Sequence, residues 1–179
     1  MSQPFHRQTF SHTIWRHCEQ SYSINPQFYI HLQDSYHVNV NILLLAQYLD
    51  QQHYVLTQQQ WEILTLVVDQ WETNVLQPYR RLRRIAKAYL DNDEYQKMLD
   101  VELVMERKSQ YMLLHKLNLL QGQPLSTNTT DSTDSTDSTN STNSTNNTEP
   151  GNIQHYLSLF GLDESIMAGL TTQTGLINS

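Results

Sequence analysis

The sequence predicts an all-α protein: a single-domain bundle of about six helices, then a low-complexity spacer and a short helical tail. Three observations carry this. The first 121 residues contain no glycine, since all five stand at 122, 151, 161, 169 and 175. P-loops, dinucleotide fingerprints and G-x-S-x-G elbows all need glycine at positive φ or close backbone approach, and tight β-hairpins normally show it in their turns. Apolar residues recur at helical spacing. Asn, Asp, Ser, Thr and Pro stand where helices start.

Taken in order, Ser11 can cap a segment burying Ile14, Trp15, Cys18 and Tyr22. Asn25-Pro26 reads as an N-cap with proline at the first helical position, and the helix carries Phe28, Tyr29, Leu32 and Tyr36. Asn39 can cap the next helix. Its Val40, Ile42 to Leu45, Tyr48 and Leu49 point in almost every direction, which marks a central helix. Thr57 with Gln60 forms a capping box. Trp61, Leu64, Val68, Trp71 and Val75 then follow 3-4-3-4 spacing, and Leu82, Ile85 and Tyr89 continue it in phase. Pro78 interrupts this run, which predicts a kink or break. Asp91 to Glu94 start a last helix over about 93–119, with its charges poorly segregated from its apolar residues. Ile153 to Phe160 and Ser165 to Leu170 read as two short helices around Gly161, a tail that docks back on the body.

Between body and tail, Ser126 to Thr148 is 23 residues of Ser, Thr, Asn and Asp alone. With no apolar residue to offset ordering entropy it reads as a disordered spacer, spanning roughly 25 Å as a random coil. The expected organisation is a helical domain over 1–125, a spacer over 126–150 and a tail over 151–179.

The formal charge is -7, with 11 Lys+Arg against 18 Asp+Glu. Cys18 is the single cysteine, which excludes an intramolecular disulfide and a cysteine-based zinc site. The N-terminus lacks a signal-peptide pattern, and the longest apolar run, Ile42 to Ala46, is too short to span a bilayer. A cytoplasmic protein without a membrane segment is expected.

The basic cluster Arg80, Arg81, Arg83, Arg84 and Lys87 is the main candidate for chemistry. At about 100° per residue, Arg80, Arg83, Arg84 and Lys87 share one arc, while Leu82, Ile85, Ala86 and Tyr89 fall opposite. The expectation is a helix with its apolar face inward and its cations outward. Such a face suits phosphate or an acidic partner. The bland reading is that it pairs with carboxylates of the chain itself, such as Glu62, Asp69 or Glu72. Overall negative charge argues against non-specific DNA binding.

Other patterns fail as sites. His31, Asp34 and His37 miss the i, i+4 spacing of helical metal ligands. Asp91, Asp93 and Glu102 match three positions of a calcium loop, but Gln96 stands where its glycine is required. Cys18 beside His17 points about 100° away from it, so the two are no nucleophile–base pair. No metal, cofactor or catalytic residue is expected. Asn39 and Asn41 are polar residues at the start of a strongly apolar helix, suited to tying the chain together or to lining a site.

The order Trp15, Leu32-Gln33-Asp34, Tyr36, then Val38 through Leu45, Trp71, Val75, Pro78, Leu82-Arg83-Arg84 and Lys87 resembles a proteobacterial family known as domain of unknown function 2390. The resemblance covers roughly residues 10–120. It implies a bacterial cytoplasmic helical protein and brings no activity, cofactor or catalytic residue. The family usually has glycine after the turn tyrosine, where this chain has His37, which implies a turn of different shape.

Three readings follow, one of them purely structural, in which the arginines bridge neighbouring helices and the chain self-associates. The leading one is a non-enzymatic interaction or regulatory protein binding an acidic partner or phosphate-bearing ligand through Arg80, Arg81, Arg83, Arg84 and Lys87. The alternative is a small helical enzyme acting on an anionic molecule in an inter-helix pocket, with Asp34, Tyr36, His37, Asn39 and Asn41 on its wall. An enclosed pocket lined by both the Asn39–Asn41 segment and the Arg83/Arg84 turn favours the enzyme, and wide separation of the two or a flat surface favours the binding protein.

Overall fold

A computed structural model describes residues 9–120, 123–124 and 150–170 of the chain. The spacer expected over 126–150 lies outside these residues, apart from Pro150. Helix α1 (Thr13–Ile24) buries Ile14, Trp15 and Cys18. His12 holds its N-cap position, one residue later than expected, while the Ser11 hydroxyl accepts weakly from the Thr13 N–H at 3.4 Å. Helix α2 (Pro26–Tyr36) starts on Asn25, whose side chain accepts from the Phe28 N–H. Helix α3 (Val40–Gln51) starts on Asn39, whose side chain accepts from the Ile42 N–H. Six of its residues are buried, Ile42 to Ala46 and Leu49, because α1, α2 and α7 (Asn152–Ser158) all pack on it.

Helix α4 (Gln58–Trp71) opens with the complete Thr57–Gln60 capping box and buries Trp61, Leu64 and Val68. A five-residue π turn, Glu72–Leu76, joins it to α5 (Gln77–Ala86). Helix α6 (Asn92–Leu119) begins with a second capping box, between Asp91 and Glu94, and runs back along α5 and α4. A short antiparallel pairing of β1 (Tyr54–Val55) with β2 (Gln123–Pro124) has no counterpart in the sequence reading. Two-residue strands are too short to show a period.

The expected kink or break at Pro78 takes the form of the π turn, in which the Gln77 N–H bonds the Glu72 carbonyl five residues back. The ring of a helical proline crowds the carbonyl four residues earlier, and a wide turn just before it relieves that crowding. The turn takes in one extra residue. Everything after it is therefore retarded by roughly the 100° that one α-helical residue occupies. This slip decides which face of α5 meets the body.

The tail is anchored by Asn152, which is fully buried and uses all four of its hydrogen-bonding positions. Its Oδ1 accepts from the Leu56 N–H at 2.9 Å and from Trp61 Nε1 at 3.3 Å. Its Nδ2 donates to Asp50 Oδ1 at 2.7 Å and to the Tyr54 carbonyl at 2.9 Å. Asp50 also accepts from the backbone N–H groups of Asn152 and Ile153, the orphan donors of the first turn of α7. Tyr156, likewise fully buried, packs against Trp61 and accepts from the Asn39 N–H at 2.9 Å. After α7, Gly161 turns the chain at φ +69, and a 3₁₀ segment, Glu164–Leu170, follows.

Candidate functional site

The α5–α6 hairpin is built around charge. Arg80 Nε meets Glu102 at 3.3 Å, its Nη2 meets Glu106 at 2.7 Å, and its Nη1 lies 3.8 Å from Glu72. Arg83 Nε pairs with Glu102, and its Nη1 donates to the Tyr95 hydroxyl at 2.6 Å. The Glu102 carboxylate hydrogen-bonded to it raises the Arg83 guanidinium above its ordinary range, against the opposing effect of burial. Ser109 donates to Glu72 at 2.9 Å. Glu72 and Glu102 are buried, and each has a cation against it. Removing one member of such a pair leaves an uncompensated charge, which is costly.

This arrangement reverses the expected orientation of α5. Arg80 and Arg83 face inward, whereas Leu82 is 55% exposed, Ile85 61% and Tyr89 84%. The phase slip at the π turn is the cause. An uninterrupted α-helix would carry the stripe of Trp61, Leu64 and Val68 on to Leu82 and Ile85. The slip instead brings Leu76, Arg80 and Arg83 round to the body, and Leu76 is fully buried. Lys87 follows on the same side, with its ammonium 5.6 Å from the Tyr95 ring centre. Of the carboxylates expected to pair with the cluster, Glu72 does so; its other partners, Glu102 and Glu106, come from α6.

Arg81 and Arg84 remain exposed. Among the described residues no carboxylate pairs with either, and the Nε of Arg84 makes only a 3.4 Å contact with the Arg80 carbonyl. Both line a cleft of about 310 Å³ between the α2–α3 turn, α4 and α5. Asp34, His37, Asn39 and Asn41 line the same cleft. The fold thus brings together most of both residue sets read from the sequence. Tyr36, Arg83 and Lys87 are not part of the lining, and Tyr36 instead sets its ring edge-on to His31.

Each wall residue has a local reason for its place. His37 closes α2 in the left-handed region, at φ 58 and ψ 24, and its N–H bonds the Gln33 carbonyl. It adopts the conformation that glycine would take, so the turn keeps a glycine-like shape where a different one was expected. Asn41 accepts from Gln110 Nε2 at 3.1 Å, tying α3 to α6. Asp34 and Asp69 are exposed and line the same cleft as Arg81 and Arg84, so its lining carries both signs of charge. Tyr156 and Phe160 complete the wall from beyond the spacer. Nothing in the local sequence couples them to Asn39. The acidic pair Glu102 and Glu106 did leave a signal, since charge on the inner face of α6 is what made its pattern unsegregated. Among the described residues no group of three or more His, Cys, Asp or Glu side chains is disposed to hold a metal, and no helix is long and apolar enough to cross a membrane.

Fold and cleft together define an all-α protein with a bipolar inter-helix cleft flanked by a charge-cored hairpin. The chain belongs to the family described as Protein of unknown function (DUF2390), whose model matches residues 13–113. No curated protein and no solved structure is significantly similar to it.

Proposed function

We propose that the chain is a binding protein whose cleft rim, at Arg81 and Arg84, takes an anionic group of a partner: a carboxylate cluster or a phosphate. One observation carries this. Two guanidinium groups stand exposed at the cleft with no carboxylate partner among the described residues, on a helix whose other arginines, Arg80 and Arg83, are both paired. A guanidinium offers a planar fork of donors matched to carboxylate and phosphate. Asp34 and Asp69 in the same lining would repel an extended polyanion, so a compact anionic group suits the cleft better than a nucleic-acid backbone.

Affinity capture with the wild-type chain and with Arg81→Glu/Arg84→Glu tests the reading. Loss of specific partners from the variant is the expected result. An identical partner set, with the helical circular dichroism signal intact, would contradict it. The enzyme reading keeps one observation in its favour, the joining of His37, Asn39 and Asn41 to Arg84 in one cleft. It would gain if a small anion bound there were chemically altered on incubation.

A further inference from the structure

The outer face of α5 is the largest unexplained feature of the hairpin. Leu82 and Ile85 stand on the side of α5 opposite Arg80 and Arg83, and Tyr89, in the turn that follows α5, is exposed beyond them. This stripe is not left outside by weak packing. The π turn sets the rotation, and the paired charges of Arg80, Arg83, Glu72 and Glu102 hold it. A helix that turns its cations inward and its large apolar residues outward keeps those residues for another surface.

We infer that this face docks an acidic amphipathic helix of a partner protein, with apolar residues at i, i+3/i+4 and i+7 on Leu82, Ile85 and Tyr89 and carboxylates on Arg81 and Arg84. The inference rests on the reading of Arg81 and Arg84 as an anion-binding pair and supplies the partner class. Charge complementarity identifies the occupant. Arg81 and Arg84, three residues apart, run along one flank of the stripe, and among the described residues no carboxylate pairs with either. Helix-in-groove recognition pairs such a stripe with apolar anchors at matching spacing, and flanking charge fixes the register.

Outside the described residues the sequence shows no acidic amphipathic pattern. In the segments outside the described residues, Asp131, Asp134, Asp137 and Glu149 lie within Ser, Thr and Asn without apolar neighbours. A second copy meets two obstacles. Pairing α5 with α5 across a two-fold axis sets Arg81 and Arg84 of both copies against each other. Pairing α5 with the exposed Val104 face of α6 is heterologous and builds rings or filaments rather than a symmetric dimer.

The test uses the full-length chain and two synthetic helical peptides. Both carry leucines at 3-4 spacing, one with glutamates along one flank and the other with lysines. Binding is read by fluorescence anisotropy. The acidic peptide is expected to bind at least about tenfold more tightly than the basic one. Leu82→Ser/Ile85→Ser should weaken it at least about tenfold, and Arg81→Glu/Arg84→Glu should reverse the preference. All four side chains are exposed, so thermal melts of the variants should match wild type.

Equal peptide binding by wild type and Leu82→Ser/Ile85→Ser overturns the inference. If inorganic pyrophosphate binding still depends on Arg81 and Arg84, the anion-binding reading survives that result. If neither peptide nor pyrophosphate binding responds to the arginine changes, both fail. Self-association that Leu82→Ser/Ile85→Ser abolishes would give the stripe to a second copy, and stripe-dependent pelleting with phosphatidylserine vesicles would give it to a membrane surface. Either overturns the inference.

Discussion

Asn152 shows how much one side chain carries in this fold. Its amide satisfies the Leu56 N–H and the Trp61 indole, and takes Asp50 and the Tyr54 carbonyl as acceptors. Asn152→Ala leaves two buried donors without an acceptor and should cost about 2–4 kcal/mol, read by chemical denaturation. His37 is a smaller reservoir. A side chain in the left-handed region is strained, so His37→Gly should raise stability by about 0.5–1 kcal/mol despite the freer unfolded chain. Cys18 tests burial directly. Desolvation, with Glu19 nearby, pushes its thiol from 9.0 to about 12. The thiolate is disfavoured only in the fold, so this contribution is complete below pH 9.0 and is lost as pH rises towards 12. Alkylation by iodoacetamide at pH 8 should be roughly a thousandfold slower in the native chain than in denaturant. Similar rates would place the thiol in solvent.

At the scale of elements, the starts of most helices were legible. Asn25, Asn39, Thr57 and Asp91 each bond the backbone they were expected to cap, because a cap depends on neighbours three residues away. Helix α3 was legible as central from its all-round apolar composition. The face of α5 was not. The 3-4 pattern runs through residue 75 and resumes at 82, and nothing local states that a π turn at Glu72–Leu76 retards the phase. Pro78 gave the position of the irregularity but not its form. The hairpin interior depends on charges from α6 that no window over α5 contains. Glu102→Ala should therefore cost about 2–4 kcal/mol, below the value for a fully buried pair because the side chains of Arg80 and Arg83 keep 16% and 17% exposure. Glu102→Gln should recover part of that loss by keeping hydrogen bonds to both arginines.

At the scale of the whole molecule, the candidate site is assembled from distant parts of the chain. The cleft joins the α2–α3 turn, α4, α5 and two residues of the α7 region, and Tyr156 bonds both the N–H and the carbonyl of Asn39. Residues 34–41 and 80–84 were legible as candidates because polar and charged residues stand out in apolar helices. Their meeting was not legible, since it depends on how helices pack. The orientation of α5 links all of this. It sets Arg81 and Arg84 on the cleft and leaves Leu82, Ile85 and Tyr89 outside. The most direct test compares the unfolding free energies of Arg83→Ala and Leu82→Ala. A charge-cored hairpin predicts a loss of about 2 kcal/mol or more for Arg83→Ala and a change within about 0.5 kcal/mol for Leu82→Ala. The opposite order, with Leu82→Ala the costlier change, would contradict it.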